Sequence, residues 1–393
     1  MTNWTTNKTS KMDKSIFDEK VTRRGTNSYK WDYPEEEGVI PMWVADMDFK
    51  AAPAILEALK KRVEHGVFGY TKTPNEYFES VKGWFSRRHG WEISDGSIIS
   101  APGVVTAVSA ILQALTEPGD KVIMQTPAYN CFFNCISNNG LTLSDNKLLY
   151  DNGRYSIDWE DLEEKAKDPK AKLLLLCNPH NPSGRVWTRS ELERIADICL
   201  KNNVFVISDE IHCELTFPGH DYTPYATISE EAKKHSLSCV SPSKAFNIAG
   251  LQNAMIVVED RKLRDIIEHT AETNEICDFN PFGVEAVMAA YNDSEQWLDA
   301  LREYLWDNYL YLSDFFAEHF PEYKVTPLEG TYLVWVECSA SGMSSEALAE
   351  KILKEKKVMF NPGKMYGDDN FLRINIACPK ATLVEALDRL IHI

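Results

Sequence analysis

Lys172-Leu-Leu-Leu-Leu-Cys177 runs straight into Asn178-Pro179-His180-Asn181-Pro182-Ser183-Gly184, and the same pattern returns twice. Val204–Ser208 ends in Asp209-Glu210-Ile211-His212, and Leu237–Val240 ends in Ser241-Pro242-Ser243-Lys244. Each is a short apolar run that stops at polar residues unlike an ordinary turn. From Asn178 to Asp209 is 31 residues, and from Asp209 to Lys244 is 35, which suits one strand-helix-strand unit each. Further runs at Val122–Met124 and Ala254–Val258 alternate with helical periodicity at Thr106–Leu115 and Glu191–Leu200. Such alternation predicts a mostly parallel sheet covered by helices on both faces. Ligands of open α/β sheets bind outside the carboxyl ends of the strands. An amide, a carboxylate and an amine are therefore expected in one crevice.

The chain has 393 residues, which points to two or three domains. Pro53 to His65 reads as an amphipathic helix with Ile55, Leu56 and Leu59 on one face and an end at Gly66. After about Pro281 the pattern changes. A long helical stretch, Glu285 to Phe320, leads to Tyr332–Glu337, a helix near Ser345–Lys357 and a strand at Phe371–Ala377. The expected division is an arm plus part of a small domain at 1–50, a large domain at 51–285 and a small α+β domain at 286–393. Met1 to Ser15 is read as a frayed or partner-docked arm.

Charge excludes some functions. Forty-two basic against 59 acidic residues give −17, so no basic stripe displaces counterions from nucleic acid, and an anionic membrane is disfavoured. A small anion in a locally positive pocket remains compatible. The nine cysteines are scattered, with no Cys-x-x-Cys and no zinc-ligand spacing. No metal is expected, and reduced core cysteines in a cytoplasmic protein are. Met1 to Lys14 lacks the apolar core of a secretory signal, and no window approaches about 20 apolar residues.

Taken singly, the strand-end residues have plainer readings: Asn-Pro as turn, Asp209 as a helix N-cap, Lys244 as a surface lysine. Taken in order, they resemble the pyridoxal-phosphate (PLP) enzymes of the aminotransferase fold, class I/II, from about Val39 to Arg389. The resemblance implies fold type I: a large domain with a mostly parallel seven-stranded sheet, plus a small α+β domain. It implies that Lys244, in Ser-x-Ser-Lys-Ala-Phe, carries the cofactor covalently. Asp209 then faces the pyridine nitrogen, Asn181 the phenolic oxygen, and Tyr129, in Thr-Pro-Ala-Tyr, the ring. Gly103, Val104 and Val105 match the phosphate cup, with Ser241 and Ser243 as further donors. Tyr70, in Phe-Gly-Tyr, matches the tyrosine that reaches the neighbouring subunit's site and so implies a homodimer. Arg373, in Phe-Leu-Arg-Ile-Asn, matches the clamp on the substrate carboxylate. Without the resemblance, Arg373 reads as an exposed strand arginine.

Two positions depart from ordinary aminotransferases. Gln252 stands where an arginine usually pairs the phosphate, and His212 stands where a tyrosine usually nears the phenolic oxygen. With Pro41-Met42-Trp43-Val44-Ala45-Asp46-Met47-Asp48-Phe49 and Asn247-Ile-Ala-Gly-Leu251, these resemble the bacterial cystathionine β-lyase / cysteine C–S lyase branch. That branch implies α,β-elimination from an L-cysteine thioether. It also implies Lys244 as the base, and Lys244 or Tyr70 as the acid that protonates the thiolate. Trp43, Tyr129, Tyr332 and Asn361–Met365 are candidates for the substrate wall. The alternatives are a PLP-dependent aminotransferase, or a PLP-fold protein with a binding or regulatory role.

Overall fold

The computed structural model describes residues 12–276 and 280–391. Most of the arm at Met1–Ser15, together with Cys277, lies outside the described residues. Where the description begins, the chain is docked on itself. Phe17 is buried, with its ring 5.4 Å from Trp297 and 5.5 Å from Tyr304, and Lys14 pairs with Asp307 at 2.6 Å.

Seven strands form the main sheet, in the order Ile98–Ala101, Ala254–Val257, Ser236–Val240, Phe205–Asp209, Ala171–Cys177, Lys121–Met124, Thr142–Asp145. Only Ala254–Val257 runs against its neighbours; the other contacts are parallel. Parallel strands need crossover connections, and helices such as Arg189–Lys201 supply them. Thr188 and Glu191 close that helix's first turn as a reciprocal capping box. Because helices cover both faces, the strands read as unbroken apolar runs: only Lys172 of Ala171–Cys177 is exposed.

A second sheet is antiparallel, in the order Lys324–Val325, Leu333–Glu337, Phe371–Asn375, Asn361–Pro362. Ile40–Pro41 pairs in parallel with Val358–Met359, which ties the first part of the chain to the last.

Two expectations need correction. The stretch Glu285–Phe320 is two helices, Pro281–Asp293 and Glu295–His319. Ser294 separates them with a non-helical φ of −119°, its hydroxyl donating to the Ala289 carbonyl at 2.9 Å. Serine competes for backbone acceptors in this way and disfavours a helix interior. In Pro53–His65, Ile55 is buried but Leu56 is exposed, so the apolar face is Ile55 with Ala58 and Leu59. Gly66 ends that helix as expected, at φ 75°, where a side chain would be strained.

A buried polar cluster fixes the helix Asn75–His89 against the chain just after Asp209. Glu214 accepts from Trp84 Nε1 at 2.6 Å, pairs with Arg88 at 3.1 Å, and contacts His89 Nε2 at 2.6 Å. Cys213 adds a sulfur, so the ligand atoms of His89, Cys213 and Glu214 lie within 4.8 Å of one another. The Arg88 guanidinium already neutralises the carboxylate there. Burial pushes the Glu214 carboxyl up, but His89, Arg88 and Trp84 outweigh it and hold the group down at about 2. The folded value lies below the ordinary 4.5, so this stabilisation is present above pH 4.5 and is lost as pH falls toward 2. Glu214→Gln should lower stability by about 3–5 kcal/mol, read from denaturant or thermal unfolding near pH 7, because Arg88 loses a buried counterion. A change under about 1 kcal/mol would show that the cluster carries little.

Candidate active site

The sheet brings the three polar strand ends together through its register. Cys177 is opposite Asp209, and Asp209 is opposite Cys239, in adjacent parallel strands. Asn178 N–H donates to the Asp209 carbonyl at 2.9 Å, and Glu210 N–H donates to the Cys239 carbonyl at 2.9 Å. The residues after each strand therefore leave the sheet at one edge. Behind them Glu210 is buried and accepts from Ser208 Oγ, Tyr222 OH and the Tyr225 N–H. Its role is to anchor the turn.

Asp209 is buried, and its Oδ1 accepts only a 3.1 Å bond from Ile211 N–H. A turn follows it, not a helix, which removes the N-cap reading. Burial first, and Glu210 second, raise its carboxyl to about 7 against the opposing pull of the Ile211 N–H and Lys244. Lys244 is partly buried and donates to the Ala45 carbonyl at 2.7 Å. Burial, and next the Arg373 charge, bring its amine down to about 8, opposed by Asp46 and Asp209. An amine near neutrality at working pH can act as nucleophile and base.

Arg373 is buried rather than exposed at a strand surface. It donates to Asn181 Oδ1 at 3.2 Å and to the Trp43 carbonyl at 3.0 Å, and its guanidinium lies 4.5 Å from the Tyr366 ring centroid. Its Nε is buried without a partner. A buried planar cation with an unspent donor suits a carboxylate. His212 is buried edge-on to Tyr332, with ring centroids 6.2 Å apart. Burial, then the Lys244 and Arg373 charges, hold its imidazole well below 6.5, so it is neutral, and Nδ1 lacks a partner.

The remaining expected residues fall as follows. Gly103 caps Val104–Leu115, and a Cβ added there would meet nothing within 4 Å. The first-turn N–H groups of Val104, Val105 and Thr106 have no intrahelical acceptors, which suits a phosphate. Ser241 spends its hydroxyl hydrogen on the Asn253 carbonyl at 2.6 Å and accepts from Ser243 N–H at 3.1 Å. Tyr129 is half-buried before Asn130–Asn138 and feels the Arg373 charge. Trp43 packs on Tyr29 and Tyr33 and points its indole N–H at the Lys30 carbonyl, 3.1 Å away. Tyr332 is buried and donates to the Ala45 carbonyl at 2.8 Å. Gln252 is exposed at φ 51°. Tyr70 is apart from these groups in its own chain and 101% exposed.

The orphaned Arg373 Nε and His212 Nδ1, the nearly unpartnered Asp209 and the open space at Gly103 fit a planar, phosphorylated, ring-nitrogen cofactor. Residue-by-residue reading missed Asn375, Tyr366 and the buried Lys30. Asn375 follows Arg373 by two residues and so shares its face of the strand; that spacing was the available signal.

The raised Asp209 carboxyl gives a signed pH dependence. Its folded value exceeds the ordinary 3.8, so the stability it contributes is full below pH 3.8 and is lost as pH rises toward 7. In cofactor-free protein, Asp209→Asn should remove that loss, and its melting temperature relative to wild type should rise between pH 4 and pH 8. A constant difference across that range would show that the carboxyl is not raised.

Residues 37–390 match the family described as aminotransferase class I and II. A cystathionine beta-lyase of Bacillus subtilis, PatB, is 43% identical over 380 residues, covering 95% of this chain and 98% of that protein. The structure of cystalysin from Treponema denticola, which contains pyridoxal 5′-phosphate, superposes with a TM-score of 0.93 at 37% identity, covering 95% of this chain and 97% of that one. A PLP-bound C–S lyase from Staphylococcus hominis in complex with L-cycloserine gives 0.89 at 32% identity, with 95% and 96% covered. Sheet, strand-end constellation and relatives agree, and the chain belongs to the aminotransferase class I and II family, with the fold-type I architecture.

Proposed function

We propose that this chain is a PLP-dependent C–S β-lyase that cleaves L-cystathionine or another L-cysteine thioether to a thiol, pyruvate and ammonia. The observation that carries it is the convergence of Lys244 and Asp209, at one edge of the large sheet, with the buried Arg373 of the second sheet, the amine brought down to about 8 and the carboxyl raised to about 7. Similarity to a cystathionine beta-lyase over 95% of the chain supports the leaving-group assignment.

Joined to the substrate amine, PLP supplies a conjugated ring that accepts the electron pair left at Cα. The residues supply the rest. Arg373 binds the α-carboxylate, and Asn181 orients the guanidinium. Lys244 would hold the resting cofactor and, once freed, takes the Cα proton at Nζ. Asp209 would keep the ring nitrogen protonated, Asn181 and His212 would border the phenolic oxygen, and Tyr129 would lie on the ring. Gly103, Val104, Val105 and Ser243 would hold the phosphate, with Ser241 orienting the Ser243 N–H. Loss of the β-thiolate, its protonation by Lys244 or Tyr70, and hydrolysis of the remaining enamine balance the reaction. Cystathionine and water give homocysteine, pyruvate and ammonia. Trp43, Tyr332 and the turn at Asn361–Met365 border the substrate.

The working unit is a homodimer. Complete exposure of Tyr70 beside exposed Val67 and Phe68 supports a tyrosine placed for a second subunit's site. The pairing of Ile40–Pro41 with Val358–Met359 supports joining 1–50 to 286–393 beside a large domain at 51–285, though helix Pro281–Asp293 runs across the second boundary. Among the described residues no helix is long and apolar enough to cross a membrane, and we place the enzyme in the cytoplasm.

Assayed with a panel of cysteine thioethers and no oxo acid, the wild type should release pyruvate and ammonia in equal amounts. Lys244→Ala should lose at least about 1,000-fold in rate, since its base and nucleophile go together. Oxo-acid formation only with a second oxo acid, and without ammonia, would make the protein an aminotransferase. Tyr70→Phe should lower turnover without changing thermal stability. Mixed with Lys244→Ala subunits it should recover activity, because one site of each mixed dimer is intact; no recovery would contradict the shared site.

A further inference from the structure

The segment Trp43–Phe49 crosses the site as an irregular strap between the two sheets' residues. Its carbonyls are tied down one by one. Asn375 Nδ2 donates to the Val44 carbonyl at 2.5 Å and to the Asp46 carbonyl at 2.7 Å, while its Oδ1 accepts from Ala377 N–H at 2.7 Å. Asn247 brackets the other end: Oδ1 accepts from Met47 N–H at 3.0 Å, and Nδ2 donates to the Met47 and Phe49 carbonyls at 3.0 and 2.8 Å. Trp43 gives its carbonyl to Arg373 and to Asn361. The acidic side chains are locked too. Lys30, 1% exposed, lies 2.9 Å from Asp48 and 3.7 Å from Asp46, and Arg23 reaches both carboxylates at 2.7 Å.

One carbonyl differs. Asn375 holds the carbonyls on either side of Ala45, and the Ala45 oxygen itself receives two donors from the site, Lys244 Nζ at 2.7 Å and Tyr332 OH at 2.8 Å. A carbonyl oxygen has two lone pairs, so these two donors complete it.

We propose that Asn375 is a positioning residue for the lyase reaction: by fixing the carbonyls that flank Ala45, it sets the Ala45 oxygen as the acceptor of the Lys244 ammonium once that amine has taken the Cα proton. The proposal rests on the function given above. Lys244 gains a charge when it accepts the proton, in a pocket that already holds Arg373. Asp46 and Asp209 offset that cation, and Cys131 is also within electrostatic reach. A fixed dipole at hydrogen-bond distance stabilises the new charge with no reorganisation at the moment of transfer. A slack strap would leave the ammonium to the longer-range carboxylates. Tyr332, on the same oxygen, stands beside the amine as a neutral phenol, since burial raises its hydroxyl far above the ordinary 10.

The test reads the Lys244 amine in cofactor-free protein, with neither substrate nor turnover involved. Carbamoylation by cyanate is followed against pH by peptide mass spectrometry, with exposed Lys50 as internal reference. Asn375→Leu, close in volume but without donors, should move the Lys244 midpoint down by about one pH unit, a tenfold change in proton affinity, and leave Lys50 unmoved. Tyr332→Phe removes the competing donor and should not lower the midpoint. If Asn375→Leu shows no cooperative melt, Asn247→Ala, which loosens the strap's other end, should give the same downward shift. A Lys244 midpoint equal to wild type in a folded strap variant, or an equal fall in Tyr332→Phe, overturns the proposal. Because no cofactor is present, that failure is distinct from a failure of the lyase reading, which the ammonia and pyruvate assay decides.

Discussion

The Asp209 carboxyl and the Lys244 amine are withdrawn from water at the same edge of one parallel sheet, and much of the structure follows from that constraint. Removal from water penalises both charged forms, so the acid rises to about 7 and the amine falls to about 8. Each then sits where a small change in surroundings decides its proton. Such groups need a rigid frame, or they relax toward solvent. Strand register supplies it for Asp209, through Cys177 and Cys239 on either side. The strap at Trp43–Phe49 supplies it for Lys244.

The charged groups buried in the frame are paired. Glu210, Glu214, Arg185 and Lys30 are all buried, and each meets opposite charge or hydrogen-bond partners. Arg373 Nε and His212 Nδ1 are among the buried polar atoms left without a partner, and these two belong to the constellation around Lys244. Unspent groups gathered beside a buried amine and carboxyl suit a ligand's polar atoms. The net charge of −17 therefore describes the surface, not the site. Locally, Lys244 and Arg373 make a cationic pocket within an acidic protein. With Gln252 exposed in place of an arginine, the phosphate would rest on backbone N–H groups and hydroxyls.

Much of this was legible in the sequence because it rests on local patterns. Apolar runs ending at Asn178, Asp209 and Ser241 marked the parallel strands and their common edge, and Gly66 marked a helix end. The break at Ser294 was not legible, since the apolar periodicity continues on both sides and one serine seldom stops a helix. Leu56 was placed on the wrong face because helical spacing admits several stripes until a packing partner is known. The strap's mechanism was hidden as well. The side-chain amides of Asn375 and Asn247 grip strap backbone atoms 331 and 200 residues away in sequence, and no spacing rule connects them. For Tyr70, only the family resemblance of Phe-Gly-Tyr pointed to a partner; its full exposure became visible in the folded chain.

Mapping the cofactor's point of attachment tests the central claim most directly. The protein is loaded with PLP, reduced with borohydride, digested, and searched for the pyridoxyl group by mass spectrometry. The account predicts that the group is found on the peptide containing Lys244 and on no other, and that Lys244→Ala protein carries none. A pyridoxyl group on another lysine, or none on the wild type after reconstitution, would contradict it.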